Sequence, residues 1–260
     1  MVIVLNSAAP PPVAGPVSAP GLALIGVGPG NPDWLTLAAH QALQQAEVVA
    51  YPVARRDATG MAATIVERFL LPEQQRLPLV FPMVRAMEAL RPAWIAAADA
   101  LAAAVTAGRR VVFLCEGDVS LFATGSYVLL ALRQHHPDCP VRLIPGVSSV
   151  AAAAAQGAWP LALQQEGLLI RPCPDDAAAL QRVLRWAQEE NTVLALLKLG
   201  QRWRWVQPLL AEQQLLDRAL FAERIGWPDQ RVLPAAAVPA GERPYFSQLL
   251  IRQGGGWADG

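Results

Sequence analysis

The chain has 260 residues, 53% of them apolar and only 16% charged, with a formal net charge of zero. That composition excludes a disordered chain and supplies core for one large or two modest domains. A neutral chain carries no global field to recruit nucleic acid or an anionic membrane, so any anionic ligand must be met by local clusters.

Residues 1–20 are rich in Pro and Ala, with no basic start and no long apolar run. They read as a flexible tail and not as a secretory signal. Gly21 to Val27 (GLALIGV) is a short apolar run and predicts a buried strand. A helix is expected over Thr36 to Ala46, then a strand over Glu47 to Tyr51 stopped by Pro52. A helix over Thr59 to Leu70 follows. Arg76 to Phe81 predicts a strand that Pro78 consigns to a sheet edge. Ala93 to Ala107 predicts a helix ended by Gly108. Arg110 to Cys115 is a buried strand, Gly125 to His135 a helix, and Val141 to Ile144 a strand broken by Pro145. Ser148 to Gln156 is a small-residue helix opening on hydroxyls suited to capping.

The alternation resumes with a strand over Gly167 to Arg171, a helix over Asp176 to Glu189 and a strand over Thr192 to Leu197. A helix over Trp203 to Gln213 and a strand over Ala219 to Arg224 follow. Arg231 to Val238 and Phe246 to Arg252 then predict two strands with no helix between them. The fold class is α/β: two α/β lobes, the first sheet mainly parallel and the second mixed. The expected domains are 21–144 and 145–255. Gly146 to Gln165 is uncharged, but Gly157 and Pro160 make it a poor membrane span, and no membrane partner is expected. Cys115, Cys139 and Cys173 match no zinc or redox spacing and read as reduced structural thiols of a cytoplasmic protein. His40, His135 and His136 have no metal-ligand spacing, so no metal site is expected.

Three strand ends carry chemistry. Gly26 to Thr36 (GVGPGNPDWLT) lies between a strand and a helix, where open α/β sheets take ligands. It fails the dinucleotide spacing because Asn31 is not glycine, and it lacks the Lys-Ser or Lys-Thr of a phosphate-binding loop. Cys115 to Tyr127 (CEGDVSLFATGSY) places Glu116 and Asp118 just past an apolar strand. There a carboxylate accepts hydrogen bonds from a ligand hydroxyl or amine, or Asp118 simply caps the next helix. Ile144 to Ala154 (IPGVSSVAAAA) joins a Pro-Gly turn to Ser148 and Ser149, which face a ligand or cap their own helix.

Taken together, Gly26-Val27-Gly28-Pro29-Gly30-Asn31, Gly117-Asp118-Val119 and Pro145-Gly146-Val147-Ser148-Ser149 resemble the GxGPGD, GDP and PG[IV][ST]S motifs of the tetrapyrrole methylase family. ERIGWPDQ, Glu223 to Gln230, resembles that family's late ExxTxPxQ-like turn. Asn31, Val119 and Gly226 depart from the usual Asp, Pro and Thr. The likeness spans roughly Gly21 to Arg252. Through EVVAYPVARRD, CEGDVSLFATGSY, IPGVSSVAAAAA and LLKLG it is strongest to the branch that methylates C-20 of precorrin-2, or its cobalt form, in cobalamin biosynthesis.

The resemblance implies S-adenosylmethionine as cofactor, a ligand cleft between the two lobes, and a cytoplasmic homodimer. It implies cofactor contacts from Pro29, Glu116, Gly117, Asp118, Leu121, Ser148, Ser149, Lys198, Leu199 and Ile225. A substrate with eight carboxylates calls for local cations, for which Arg55, Arg56, Arg85 and Arg202 are the candidates, with Arg204 beside them. Trp203 and Trp205 either cover a macrocycle face or mark an amphipathic segment. Tyr51 and Asp118 are the catalytic candidates, with Glu116 beside Asp118, although Tyr51 equally suits packing at a strand end. Alternatives are a family member acting at a different carbon, a related RNA or protein methylase, and a non-catalytic protein that keeps a cofactor pocket.

Overall fold

The computed structural model describes residues 19–55, 57–82 and 87–254. The first sheet is built from β1 (Gly21–Gly26), β2 (Val48–Val53), β3 (Gln75–Val80), β4 (Arg110–Cys115) and β5 (Val141–Ile144). Their order is β3-β2-β4-β1-β5, and every pairing is parallel. β1 and β4 are apolar along almost their whole length because both faces are covered, as parallel strands require. On one face Leu22, Leu24, Val111 and Phe113 pack with Leu101 and Val105 of α3 (Met87–Thr106) and Val128 and Leu132 of α4 (Thr124–His135). Packed on the sheet as well are α1 (Leu37–Gln45) and α2 (Met61–Val66), which bury Ala39, Leu43, Ile65 and Val66. Thr36 caps α1 by accepting the Ala39 N–H at 3.2 Å.

Two proline expectations need correcting here. β2 runs through Pro52 to Val53, because its pairing with β4 ends at Ala50 while its pairing with β3 continues. The missing N–H of Pro52 therefore costs no ladder bond. α3 begins at Met87 and not at Ala93, passing through Pro92, which forfeits one helical bond in an early turn. β3, which carries Pro78, lies at the sheet edge as expected.

The second sheet contains β6 (Gly167–Pro172), β7 (Thr192–Leu197), β8 (Ala219–Glu223), β9 (Arg231–Pro234) and β10 (Ser247–Ile251). In the order β6-β7-β10-β8-β9, only β6 and β7 run parallel, and the other pairings are antiparallel. α6 (Ala177–Glu189) and α7 (Trp203–Glu212) cover one face through Leu180, Leu184, Val206 and Leu210. α5 (Ser149–Gln156) covers the other through Val150 and Ala154, against Ala195, Leu220 and Leu250. β9 is shorter than the sequence pattern suggests: the chain turns into a 3-10 turn over Ala235–Ala237 that buries Ala235.

The described residues divide into two compact units, one of those within 19–27 and 34–146 and the other of those within 28–33 and 147–254. Among the described residues, no helix is long and apolar enough to cross a membrane. The three cysteines are free thiols. Burial pushes the pKa of Cys115 and of Cys173 up to about 12, so both stay protonated.

Candidate active site

In the first unit, the parallel strands β4, β1 and β5 all end at the same sheet edge, and their backbones converge there. A Cβ on Gly26 would lie 2.6 Å from the Gly146 nitrogen and 2.7 Å from the Gly117 carbonyl oxygen. A Cβ on Gly146 would collide with that same carbonyl. All three motifs therefore supply a glycine to one point where only bare backbone fits. Gly117 also has φ +67°, a left-handed turn that swings the chain off β4.

Asp118 locks this junction. Its Oδ2 accepts the Gly146 N–H at 2.9 Å, and its Oδ1 accepts the Ser120 N–H at 2.9 Å and the Ser120 hydroxyl. Burial pulls its pKa up, but hydrogen bonds from Ser120, from the Gly146 N–H and from the Val119 N–H outweigh it and hold the carboxyl below its usual range. A proline at position 119 would have no N–H to give. Val119 also fills core space, at 3% exposure. Asp118 does not cap α4, whose N-cap is Ala123.

Glu116, two residues away, is the opposite case. It is half-buried and has no hydrogen-bond or ion-pair partner among the described residues. Burial raises its pKa to about 7. Leu121 is half-buried in the loop that follows. Tyr51 stands inside β2, two residues before its end, its ring packed on Gly60, where a Cβ would lie 2.5 Å from Tyr51 Cδ2.

In the second unit, the remaining site residues gather along one edge of the second sheet. The Pro29 carbonyl accepts the Trp227 indole N–H at 2.9 Å, and a Cβ on Gly30 would lie 2.6 Å from the Ile225 carbonyl. Gly226, with φ +83°, has its missing Cβ aimed at the Asn31 nitrogen. Two of the three motif departures thus meet each other, and threonine at 226 would not fit this turn. Asn31 Oδ1 accepts the Asp33 N–H at 2.9 Å, a bond an aspartate would equally accept. Ser148 caps α5 through the Ala151 N–H, and Ser149 is gripped by buried Gln248, which donates to its carbonyl at 2.7 Å and accepts from its hydroxyl at 3.2 Å. Lys198 sits at φ +59° just past β7, its ammonium 5.8 Å from the Tyr245 ring centre, and Leu199 is wholly buried.

Gln248 and Trp227 escaped the sequence reading. Their only signal is polarity inside the apolar run FSQLLI and an indole within a Pro-Asp turn.

The arginine candidates fall in both units. Arg55 is exposed and pairs with Asp57 at 3.0 Å. Arg202 is half-buried, donates to the Lys198 carbonyl at 3.0 Å and pairs with Asp175. Arg204 is exposed on α7. Arg56 and Arg85 lie outside the described residues. Trp203 is not free to cover a macrocycle: it is wholly buried, 4.9 Å from the Phe221 ring, with its indole N–H on the Pro239 carbonyl. Trp205 packs partly buried on the same core. Among the described residues no cluster of His, Cys, Asp and Glu suits a metal ion.

The family model of the Tetrapyrrole (Corrin/Porphyrin) Methylases matches residues 21–238. The chain belongs to that family. A Precorrin-2 C(20)-methyltransferase from Sinorhizobium sp is 32% identical over 243 residues, 90% of this chain and 95% of that protein. A Cobalt-precorrin-2 C(20)-methyltransferase from Salmonella typhimurium is 29% identical over 233 residues, 88% and 94% of the two chains. The crystal structure of a uroporphyrin-III C-methyl transferase from Thermus thermophilus, complexed with S-adenyl homocysteine, shares the fold. Its TM-score is 0.58 at 23% identity, over 88% of this chain and 91% of that one.

Proposed function

We propose that this chain transfers the methyl group of S-adenosylmethionine to C-20 of precorrin-2 or of its cobalt complex, as a step in cobalamin biosynthesis. The observation that carries this reading is the near full-length similarity to two relatives that share one methylated carbon and differ only in whether cobalt is present. The Thermus thermophilus complex with S-adenyl homocysteine supports the choice of methyl donor.

The residues present suit that donor. The loop past β4 offers such a ligand the backbone of Glu116 and Gly117 and the half-buried apolar side chain of Leu121. Pro29, Leu121, Leu199 and Ile225, the backbone of Glu116, Gly117 and Asp118, the hydroxyls of Ser148 and Ser149, and Lys198 would hold it. The donor supplies an electrophilic methyl group. The reduced tetrapyrrole supplies an electron-rich carbon, and the protein positions it and excludes water. Arg55 and Arg202, with Arg56 and Arg85, are the proposed partners of the substrate carboxylates. Tyr51 is a proposed catalytic side chain, and Asp118, whose oxygens hold Ser120 and Gly146, fixes the loop at the site. The same reading carries a homodimer in the cytoplasm.

The test is a paired incubation of the purified protein and S-adenosylmethionine with metal-free and with cobalt-loaded precorrin-2. A mass gain of one methyl group with either substrate is expected. No gain with either overturns the reading. Binding of S-adenosylhomocysteine without transfer to any tetrapyrrole would favour a non-catalytic protein.

A further inference from the structure

Two carboxylates two residues apart stand just past β4, and the fold treats them oppositely. Asp118 is committed to protein: its oxygens hold Ser120 and the Gly146 N–H, and the glycine junction depends on them. Glu116 is committed to nothing among the described residues, yet it is half-buried at the same strand end. Its backbone lies in the loop that is proposed to hold the methyl donor, so its side chain stays free for the reacting partner. We propose that Glu116 is the proton acceptor of the methyl transfer, a role that rests on the methyltransferase reading above.

The chemistry needs such a group. Replacing a C–H hydrogen by a methyl group taken as a cation releases one proton. An electron pair of the tetrapyrrole forms the new C–C bond, and the methyl–sulfur bond breaks with its electrons left on sulfur. The acceptor then loses a proton, which a Glu116 carboxylate oxygen takes up and passes to water. A base suits this task when its pKa lies near the working pH. Paired acids whose surroundings push them apart divide their roles in just this way. Burial sets Glu116 near 7, while Asp118 is held low and stays ionised.

The titratable groups beside Glu116 are few. Its own strand end carries Cys115, protonated, and Asp118, and neighbouring β2 carries Tyr51 two residues before its end. The ends of β1 and β5 bring only Gly26, Val27, Pro145 and Gly146, and the first turn of α4 only Thr124, Gly125 and Ser126. Burial alone moves its pKa, with no charged neighbour contributing.

The test compares wild type, Glu116→Gln and Glu116→Asp in single-turnover methyl transfer across pH 5.5 to 9, with S-adenosylhomocysteine affinity measured on each. The wild-type rate is expected to rise with pH through about 7 and level off. E116Q is expected to be slower by about 10²-fold or more, without that rise and with S-adenosylhomocysteine affinity kept. E116D should recover part of the rate. A second readout needs no activity: one glutamate carboxyl should titrate near pH 7 in the carbon NMR of glutamate-labelled protein and vanish in E116Q. An active wild type with an E116Q rate and pH profile unchanged would overturn the inference alone. A wild type inert to both forms of precorrin-2 overturns the methyltransferase reading and the inference with it. Loss of rate in E116Q together with loss of S-adenosylhomocysteine binding would make Glu116 a binding group and also overturn it.

Discussion

Asp118 and Glu116 show how much one residue's surroundings decide. Asp118 satisfies the N–H of Gly146, a group that the close glycine packing would otherwise leave without a partner. Replacing it by alanine strips that acceptor and the Ser120 turn together. D118A is therefore expected to lose about 1–3 kcal/mol of stability in urea denaturation at pH 7. Glu116 behaves in the opposite sense. Its folded pKa of about 7 lies above the ordinary 4.5, so the folded state favours the protonated form. The stability tied to that proton is fully present below pH 4.5 and is lost as pH rises through 7. Gln mimics the protonated acid and carries no charge. E116Q should melt at nearly the wild-type temperature at pH 4.5 and above it at pH 8. A melting difference that does not grow with pH would contradict the burial argument. None of this division was legible in the sequence, where Asp118 reads as a catalytic candidate or a helix cap and Glu116 as its neighbour. What separates them is the Gly146 N–H, 28 residues away in sequence, and no local pattern carries that.

At the scale of elements, the glycine motifs are a packing requirement before they are a binding signature. Gly146 has no room for a Cβ, since the Gly117 carbonyl and Gly26 backbone occupy the space, whereas a Cβ on Gly108 would meet nothing within 4 Å. Gly108 has φ +79° at the end of α3, so alanine there costs only left-handed strain, about 1–2 kcal/mol. G146A is expected to cost more, about 3 kcal/mol, and to lower S-adenosylhomocysteine affinity in calorimetry, which G108A should leave unchanged. Equal effects of the two variants would contradict the junction. Most elements were readable because apolar runs and caps are local: β4 and β5 appear within their expected bounds, and Ser148 and Asp176 cap α5 and α6. The failures are non-local. Pro52 stays inside β2 because the pairing with β4 has already stopped, and Trp203 is buried by Phe221 and Pro239 from distant segments.

At the scale of the whole molecule, zero net charge and a multiply anionic substrate leave binding to individual cations. Arg55 tests this cleanly, because its exposed pair with Asp57 contributes little to stability. R55A is expected to leave the melting temperature unchanged and to raise KM for the tetrapyrrole several-fold, with a smaller effect in high salt. An unchanged KM would remove Arg55 from the substrate contacts. The two-sheet architecture, a parallel sheet and then a mixed one, was legible because α-helices alternate with strands as far as β8 and none separates β8, β9 and β10. The methyl acceptor was not legible from chemistry: it came from the motif order and from relatives that align over nearly the whole chain. The central claim is therefore the carbon that receives the methyl group. Incubation with S-adenosylmethionine carrying a 13C-labelled methyl group, followed by carbon NMR of the isolated tetrapyrrole, tests it most directly. The account predicts a single new labelled methyl resonance assigned to C-20. A labelled methyl at any other carbon, or none at all, would contradict it.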